Sequence, residues 1–134
     1  MRLLTRETDY AVRALISAAG DTYKSAGVIS RQADIPYGFL RRILGRLREA
    51  GYIETREGPR GGVRLIRDPD TISLAELAEL FQGEMKLSGC VFRKKICKNT
   101  GRCPLRKRLI RTREKVKRDF ESITLALLME ESDG

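Results

Sequence analysis

The sequence predicts a mainly α-helical fold with one small β-hairpin, and three observations carry that reading. Three short amphipathic stretches open the chain, a strand–turn–strand pattern follows the third, and a long helix with a narrow apolar seam stands near the end. At 134 residues, 41% of them hydrophobic, the chain suits one ordinary domain or one domain with a projecting element. No apolar run approaches a membrane span, and the first thirty residues lack the pattern of a signal peptide. A cytoplasmic protein with no membrane partner is expected.

The first helix is placed over Thr5–Ala19. Thr5 is its N-cap, Glu7 and Asp9 favour its N-terminal dipole, and Tyr10, Ala11, Ala14, Leu15 and Ala18 form its apolar stripe. A second helix covers Ala26–Ala33, and Asp34-Ile35-Pro36 turns the chain. The third runs from Tyr37 to Ala50, where Gly51 stops it. Phe39, Leu40, Ile43, Leu44 and Leu47 define its buried face; Gly38, Arg41, Arg42, Arg46 and Arg48 define the other. Two helices joined by a short turn, the second basic on its outer face, form the helix-turn-helix pattern.

Residues 52–56 and 63–66 read as strands around the turn Glu57-Gly58-Pro59-Arg60-Gly61-Gly62. A basic-tipped hairpin directly after a recognition helix is a wing, and Arg60 at its tip suits a narrow minor groove. The fold class is therefore mainly α with a β-hairpin wing: a winged helix-turn-helix unit plus a long helix. Tyr37, Arg41, Arg42, Arg48, Arg56 and Arg60 are the candidate contacts to a double-stranded DNA operator. Arg41 and Arg42 suit either guanine edges or phosphates, and Tyr37 either a base edge or the backbone. Solvated helix faces would explain each arginine singly, but not their joint order along the chain.

Ser73-Leu74-Ala75-Glu76 is a capping box with Ile72 as its staple, opening a helix through about Phe81. A loop to Cys103 follows. Pro104 then opens a helix to Ser122 on which Leu105, Leu109, Thr112, Val116, Phe120 and Ile123 recur at spacings of three and four. So thin a seam on a charged helix suits pairing with a symmetry mate, and Leu105, Leu109, Val116 and Phe120 are the candidate dimerisation residues. Residues 123–128 are expected to fold back on the body. The organisation predicted is a DNA-binding unit over 1–82, a cysteine-bearing loop over 83–103, and a dimerisation helix with C-terminal segment over 104–134.

The net charge of +9 is unevenly spread. Residues 93–118 hold thirteen Lys and Arg against the single acid Glu114. Such density points to polyanions. Three cysteines, Cys90, Cys97 and Cys103, occur with no histidine. An odd count argues against a disulfide framework, and three thiols within fourteen residues suit metal ligation. Neither a CxxC pair nor a histidine is present to make an ordinary zinc site. Thiolates suit an iron–sulfur cluster, whose negative charge the neighbouring basic residues would offset. Three sulfurs leave one position for a carboxylate, water or small molecule; unligated or redox-active loop thiols are the plainer alternative. An enzyme is disfavoured, because no nucleophile–base pair or phosphate-cradling glycine motif occurs.

Taken together, the chain resembles the Rrf-type family of winged-helix regulators. The resemblance rests on Met1-Arg2-Leu3, on Thr8-Asp9-Tyr10-Ala11-Val12-Arg13-Ala14-Leu15, on the wing Arg56-Glu57-Gly58-Pro59-Arg60-Gly61-Gly62, on the cysteine loop and on Ile123-Thr124-Leu125. It implies a homodimer with an iron–sulfur cluster, of the 4Fe–4S type ahead of 2Fe–2S, held by Cys90, Cys97 and Cys103. In IscR-like members a histidine three residues past the last cysteine completes the site; here that position is Arg106. In NsrR-like members an aspartate on the partner's first helix does so, and the matching residue is Asp9, with Glu7 ranked behind it. The resemblance thus implies a transcription regulator, usually a repressor, whose operator affinity follows nitric oxide, redox state or iron–sulfur status. A zinc- or thiol-based interaction protein, or a cluster-free member answering to a protein partner, is the alternative.

Overall fold

The computed structural model describes residues 3–84 and 102–132. Its elements run α1 (Arg6–Ala18), α2 (Ala26–Ala33), α3 (Tyr37–Glu49), β1 (Ile53–Arg56), β2 (Gly62–Leu65), a 3-10 turn (Pro69–Thr71), α4 (Leu74–Gln82), α5 (Pro104–Ser122) and α6 (Leu125–Ser132). Local chemistry sets most boundaries. The Thr5 hydroxyl accepts from the Thr8 amide, and the Ser25 hydroxyl from the Val28 amide. Asp34, in the left-handed region at φ 52°, ends α2. At α4 both halves of the capping box form between Ser73 and Glu76.

Two apolar clusters meet on α4. In the larger one, Leu77 and Phe81 join Leu15, Ile29, Leu40 and Leu47 from the first three helices, together with Ile53 and Val63 of the hairpin. In the smaller one, Leu74 and Ala78 on the other side of α4 pack against Phe120, with Val12, Val116 and Ile123 at the margin. The chain end is clipped to the start of α4: the Leu74 amide donates to the Ile123 carbonyl and the Leu125 amide to the Ile72 carbonyl, each at 2.8 Å. The expected fold-back is thus a helix, α6, seated through the buried Leu125.

Two residues depart from the sequence expectation. Phe39 is exposed rather than buried. It lies about 100° around α3 from Leu40, at the edge of the apolar face, and meets the Tyr10 ring edge-on at 6.2 Å. Phe120 is buried within its own chain against α4, so it leaves the exposed seam, whereas Leu105 remains 64% exposed.

β1 and β2 pair antiparallel, with Glu54 opposite Arg64 and Thr55 opposite Val63. A third segment joins them. Lys24, between α1 and α2, exchanges both backbone hydrogen bonds with Val63, at 2.9 and 2.7 Å. Beside this bridge Gly62 has φ +141°, and a Cβ there would lie 2.2 Å from the Lys24 carbonyl oxygen.

The hairpin's other end is tied to α4 by a polar network. The Tyr52 hydroxyl donates to Glu76 at 2.7 Å, and Arg67 donates to Glu76 at 2.6 Å while lying over the Tyr52 ring. Burial, then the bond to Glu76, pushes Tyr52 from 10.0 up to about 12. Burial pushes the Glu76 carboxyl up, but hydrogen bonds from Tyr52, Arg67 and the Ser73 amide outweigh it and hold it below its ordinary value. The signs fix the pH response. Tyr52, raised on folding, stabilises below pH 10 and loses that contribution as pH climbs towards about 12. Glu76, lowered on folding, stabilises above its usual 4.5 and loses that contribution as pH falls through the folded value. Denaturant melts across pH should therefore show Tyr52→Phe flattening the alkaline limb and Glu76→Gln the acid limb.

Candidate functional site

α3 leaves one face to solvent because Leu40, Ile43, Leu44 and Leu47 occupy the other. On that outer face stand Tyr37, 52% exposed, and the exposed Arg41, Arg42 and Arg48. Gly38 and Gly45 lie among them with nothing within 4 Å of a Cβ, so the helix backbone is open to close approach there. Arg42 is steadied over the Phe39 ring at 4.9 Å, which gives the exposed ring a role. Arg46 points elsewhere. Its guanidinium lies 4.8 Å over Phe81, donates to the Leu80 carbonyl and is 3.8 Å from Glu7.

The wing follows directly. Arg56 and Arg60 are exposed, with Arg60 in the turn at the tip. Beneath them lies a cluster that sequence reasoning missed. Tyr23 donates to Glu54 at 2.7 Å, Arg64 pairs with the same carboxylate, and the Tyr23 ring carries Arg64 at 4.7 Å and Arg56 at 5.8 Å. The Tyr23 hydroxyl, then Arg64, holds the Glu54 carboxyl below its ordinary value. Glu54 so neutralises Arg64, leaving Arg56 and Arg60 as the wing's outward cations. The cross-strand Glu54–Arg64 pair was the available signal, given the hairpin register.

Of the three cysteines, Cys103 lies among the described residues; Cys90 and Cys97 lie outside them. Cys103 is a free, half-buried thiol at the N-cap of α5, and its side chain makes no capping bond. Asp9 sits half-exposed on α1, where Arg13 donates to it at 2.6 Å. Arg13 also donates to the Ala33 carbonyl at 2.9 Å and lies over the Tyr10 ring.

A second missed residue joins α1 to the approach to the cysteine loop. Gln82, the last residue of α4, accepts from the Thr5 amide at 2.9 Å and from the buried Thr8 hydroxyl at 2.7 Å. Its amide donates to the Leu3 carbonyl at 3.0 Å. One side chain thereby fixes the N-terminus of the helix bearing Asp9 to the residue after which the loop begins.

Comparison with known proteins agrees with this architecture. The chain is similar to the HTH-type transcriptional regulator NsrR of Bacillus subtilis, 32% identical over 90 residues covering 65% of this chain and 62% of that protein. It is 31% identical to the NsrR of Shouchella clausii over 65% of this chain and 60% of that one. The matches thus span less than two thirds of these relatives, whose names are those of transcription regulators rather than enzymes. The fold matches that of CymR, described as the global cysteine regulator of B. subtilis, with TM-score 0.79, 23% identity and 98% of both chains covered. It also matches T. potens IscR with TM-score 0.74, 20% identity, 98% of this chain and 88% of that one. Across residues 4–131 the chain fits the Rrf2 family model, described as an iron-dependent transcriptional regulator, and it belongs to the Rrf2 family.

Proposed function

We propose that the chain is a DNA-binding transcription regulator acting as a homodimer, in the sense of a repressor working in the cytoplasm. The observation that carries this is the exposed arginine face of α3 set beside a wing held along its second strand by the Lys24–Val63 bridge. The printed names of the NsrR relatives support it. In this reading α3 lies in a major groove, where Arg41 and Arg42 meet guanine edges or phosphates and Tyr37 and Arg48 assist. Arg60 reaches the adjoining minor groove, and Arg56 meets its phosphate wall. Leu105 and Leu109 on α5, with Val116 at their margin, supply the pairing surface.

Cys90, Cys97 and Cys103 would hold an iron–sulfur cluster, with Asp9 of the second subunit as the fourth ligand. The donor set fits: three thiols suit iron, the Cys103 thiol is free, and Asp9 is half-exposed. Bound there, the cluster would make operator affinity sensitive to nitric oxide, redox state or iron–sulfur supply. Gln82 would transmit the state of the loop to α1 in the same subunit, and Asp9 would transmit it across the dimer.

The test uses a duplex selected by the wild-type protein from a random-sequence pool. Arg41→Ala and Arg42→Ala are each expected to weaken binding by about 1–3 kcal/mol where the arginine reads a base, and to relax preference there. Where it holds a phosphate, the loss is uniform across sequences and the salt slope falls by about 1. Unchanged affinity and slope in the double variant would remove α3 from the interface.

A further inference from the structure

The basic face of α5 is not accounted for by recognition helix, wing or cysteines. Lys107, Arg108, Arg111, Lys115 and Arg118 are all exposed, and helical geometry gathers them within about 100° of arc. The seam of Leu109, Val116 and Phe120 lies on the opposite side of the same helix. Among the described residues none of the five side chains makes a salt bridge or hydrogen bond, whereas Arg113 pairs with Glu114 at 3.7 Å elsewhere on this helix. Like charges therefore face one another along its centre at i, i+4 (107/111, 111/115) and at i, i+3 (108/111, 115/118), each destabilising the helix. Acids stand only at its margins, Glu114 four residues before Arg118 and Asp119 four after Lys115, and among the described residues neither forms an ion pair with the stripe. A face kept only for solubility mixes signs throughout and gains from pairing.

Balancing the charge of the cysteine site accounts for the near end of the stripe at most. At about 1.5 Å per residue, Lys115 and Arg118 lie roughly 18–22 Å along the axis from Cys103, beyond a Debye length of about 8–10 Å. A lipid surface is disfavoured as well. The apolar seam that would enter a bilayer is partly consumed inside the chain, where Phe120 is 7% exposed against α4. α5 is also carried on a separate apolar cluster from α3 and the hairpin: they belong to the larger one, whereas α5 packs through the smaller.

We propose that the α5 stripe is a second DNA-binding surface, which takes the phosphate backbone of a duplex segment other than the one held by α3 and the wing. The proposal rests on reading the chain as a DNA-binding regulator. From Lys107 to Arg118 the stripe runs about 16 Å, over which one strand of a duplex presents roughly five phosphates, one per 3.4 Å of axis. Five cations face about five anions. No base edge is involved, so the contact is independent of sequence and strongly dependent on salt. Each regulator would bridge its operator to a second stretch of DNA.

The experiment immobilises the selected duplex, saturates it with protein, and passes a labelled duplex of unrelated sequence over it. Wild type is expected to capture the second duplex at low salt and release it as salt rises. The variant Lys107→Gln/Arg111→Gln/Lys115→Gln/Arg118→Gln keeps good helix formers on the exposed face. It should hold the immobilised duplex within twofold of wild type and capture the second at least tenfold less, with the salt slope of capture reduced by about 3.6. Wild type that holds the first duplex without capturing a second overturns the bridge alone, as does capture by the variant equal to wild type. Preferential capture of single-stranded RNA overturns the duplex assignment. If no duplex can be selected at all, the regulator reading fails and the bridge falls with it.

Discussion

Replacing Gly62 by alanine is expected to part the wing from Lys24 and destabilise the protein by about 2–4 kcal/mol, through strain and lost backbone pairing. Two effects add. The position has φ +141°, which an L side chain rarely adopts, and its Cβ would sit 2.2 Å from the Lys24 carbonyl oxygen and 2.4 Å from the carbonyl carbon. Both obstacles are backbone, so no side chain can swing aside. The two Lys24–Val63 hydrogen bonds must part, and Val63, buried in the core, must shift. Gly58→Ala is the control. That glycine has φ +103° with nothing within 4 Å, so it carries conformational strain without collision, about 1–2 kcal/mol. Chemical denaturation should separate the two variants, and hydrogen exchange at the Lys24 and Val63 amides should accelerate in Gly62→Ala alone. Equal destabilisation by both would show that collision with Lys24 is not what fixes the wing.

The largest functional effect is expected at Cys103. On the proposed cluster reading, wild type purified anaerobically should carry iron, sulfide and visible absorption, and Cys103→Ser should lose all three, since one of three thiolates is lost. Colourless, zinc-loaded wild type would overturn the cluster reading before any variant is made. Asp9 allows a sharper test because Arg13 already holds it at 2.6 Å. A carboxylate engaged by a guanidinium in its own chain must leave it to ligate iron in another. Asp9→Ala should therefore shorten cluster lifetime under air or nitric oxide, whereas Arg13→Ala should leave it unchanged or longer. If Asp9→Ala decays at the wild-type rate, Asp9 is not a ligand.

What the sequence disclosed follows from the range of the forces involved. Thr5, Ser73 and Glu76 could be read because a cap involves residues three apart, α2 could be ended by the turn Asp34-Ile35-Pro36, and α5 could be bounded by its periodicity and by Pro104. Periodicity also separated the core face of α3 from its arginine face. It did not reveal which neighbour covers a marginal residue. Phe39 stays outside because Tyr10 meets its edge from α1, and Phe120 goes inside because Leu74 and Ala78 leave α4 a second apolar side. The contacts that fasten the site were out of reach for the same reason. Gln82 closes on Thr5 across 77 residues, and Tyr23 on Glu54 across 31, with no local pattern to announce either. Cys90 and Cys97 were named from sequence and lie outside the described residues, so the cysteine site rests on its chemistry and on the position of Cys103.

A wing tied along one edge to Lys24 and stacked from below by Tyr23 has already lost its conformational freedom when the protein folds. In the proposed complex less remains for a duplex to order than with basic arms that condense onto DNA only on contact. More of the adaptation would then fall to the nucleic acid, whose minor groove would have to suit Arg60 as the anchored wing presents it. Operators for such a regulator should be distinguished less by the bases the wing touches than by how cheaply the flanking steps narrow or bend. Base changes there should alter affinity at positions that no side chain reaches.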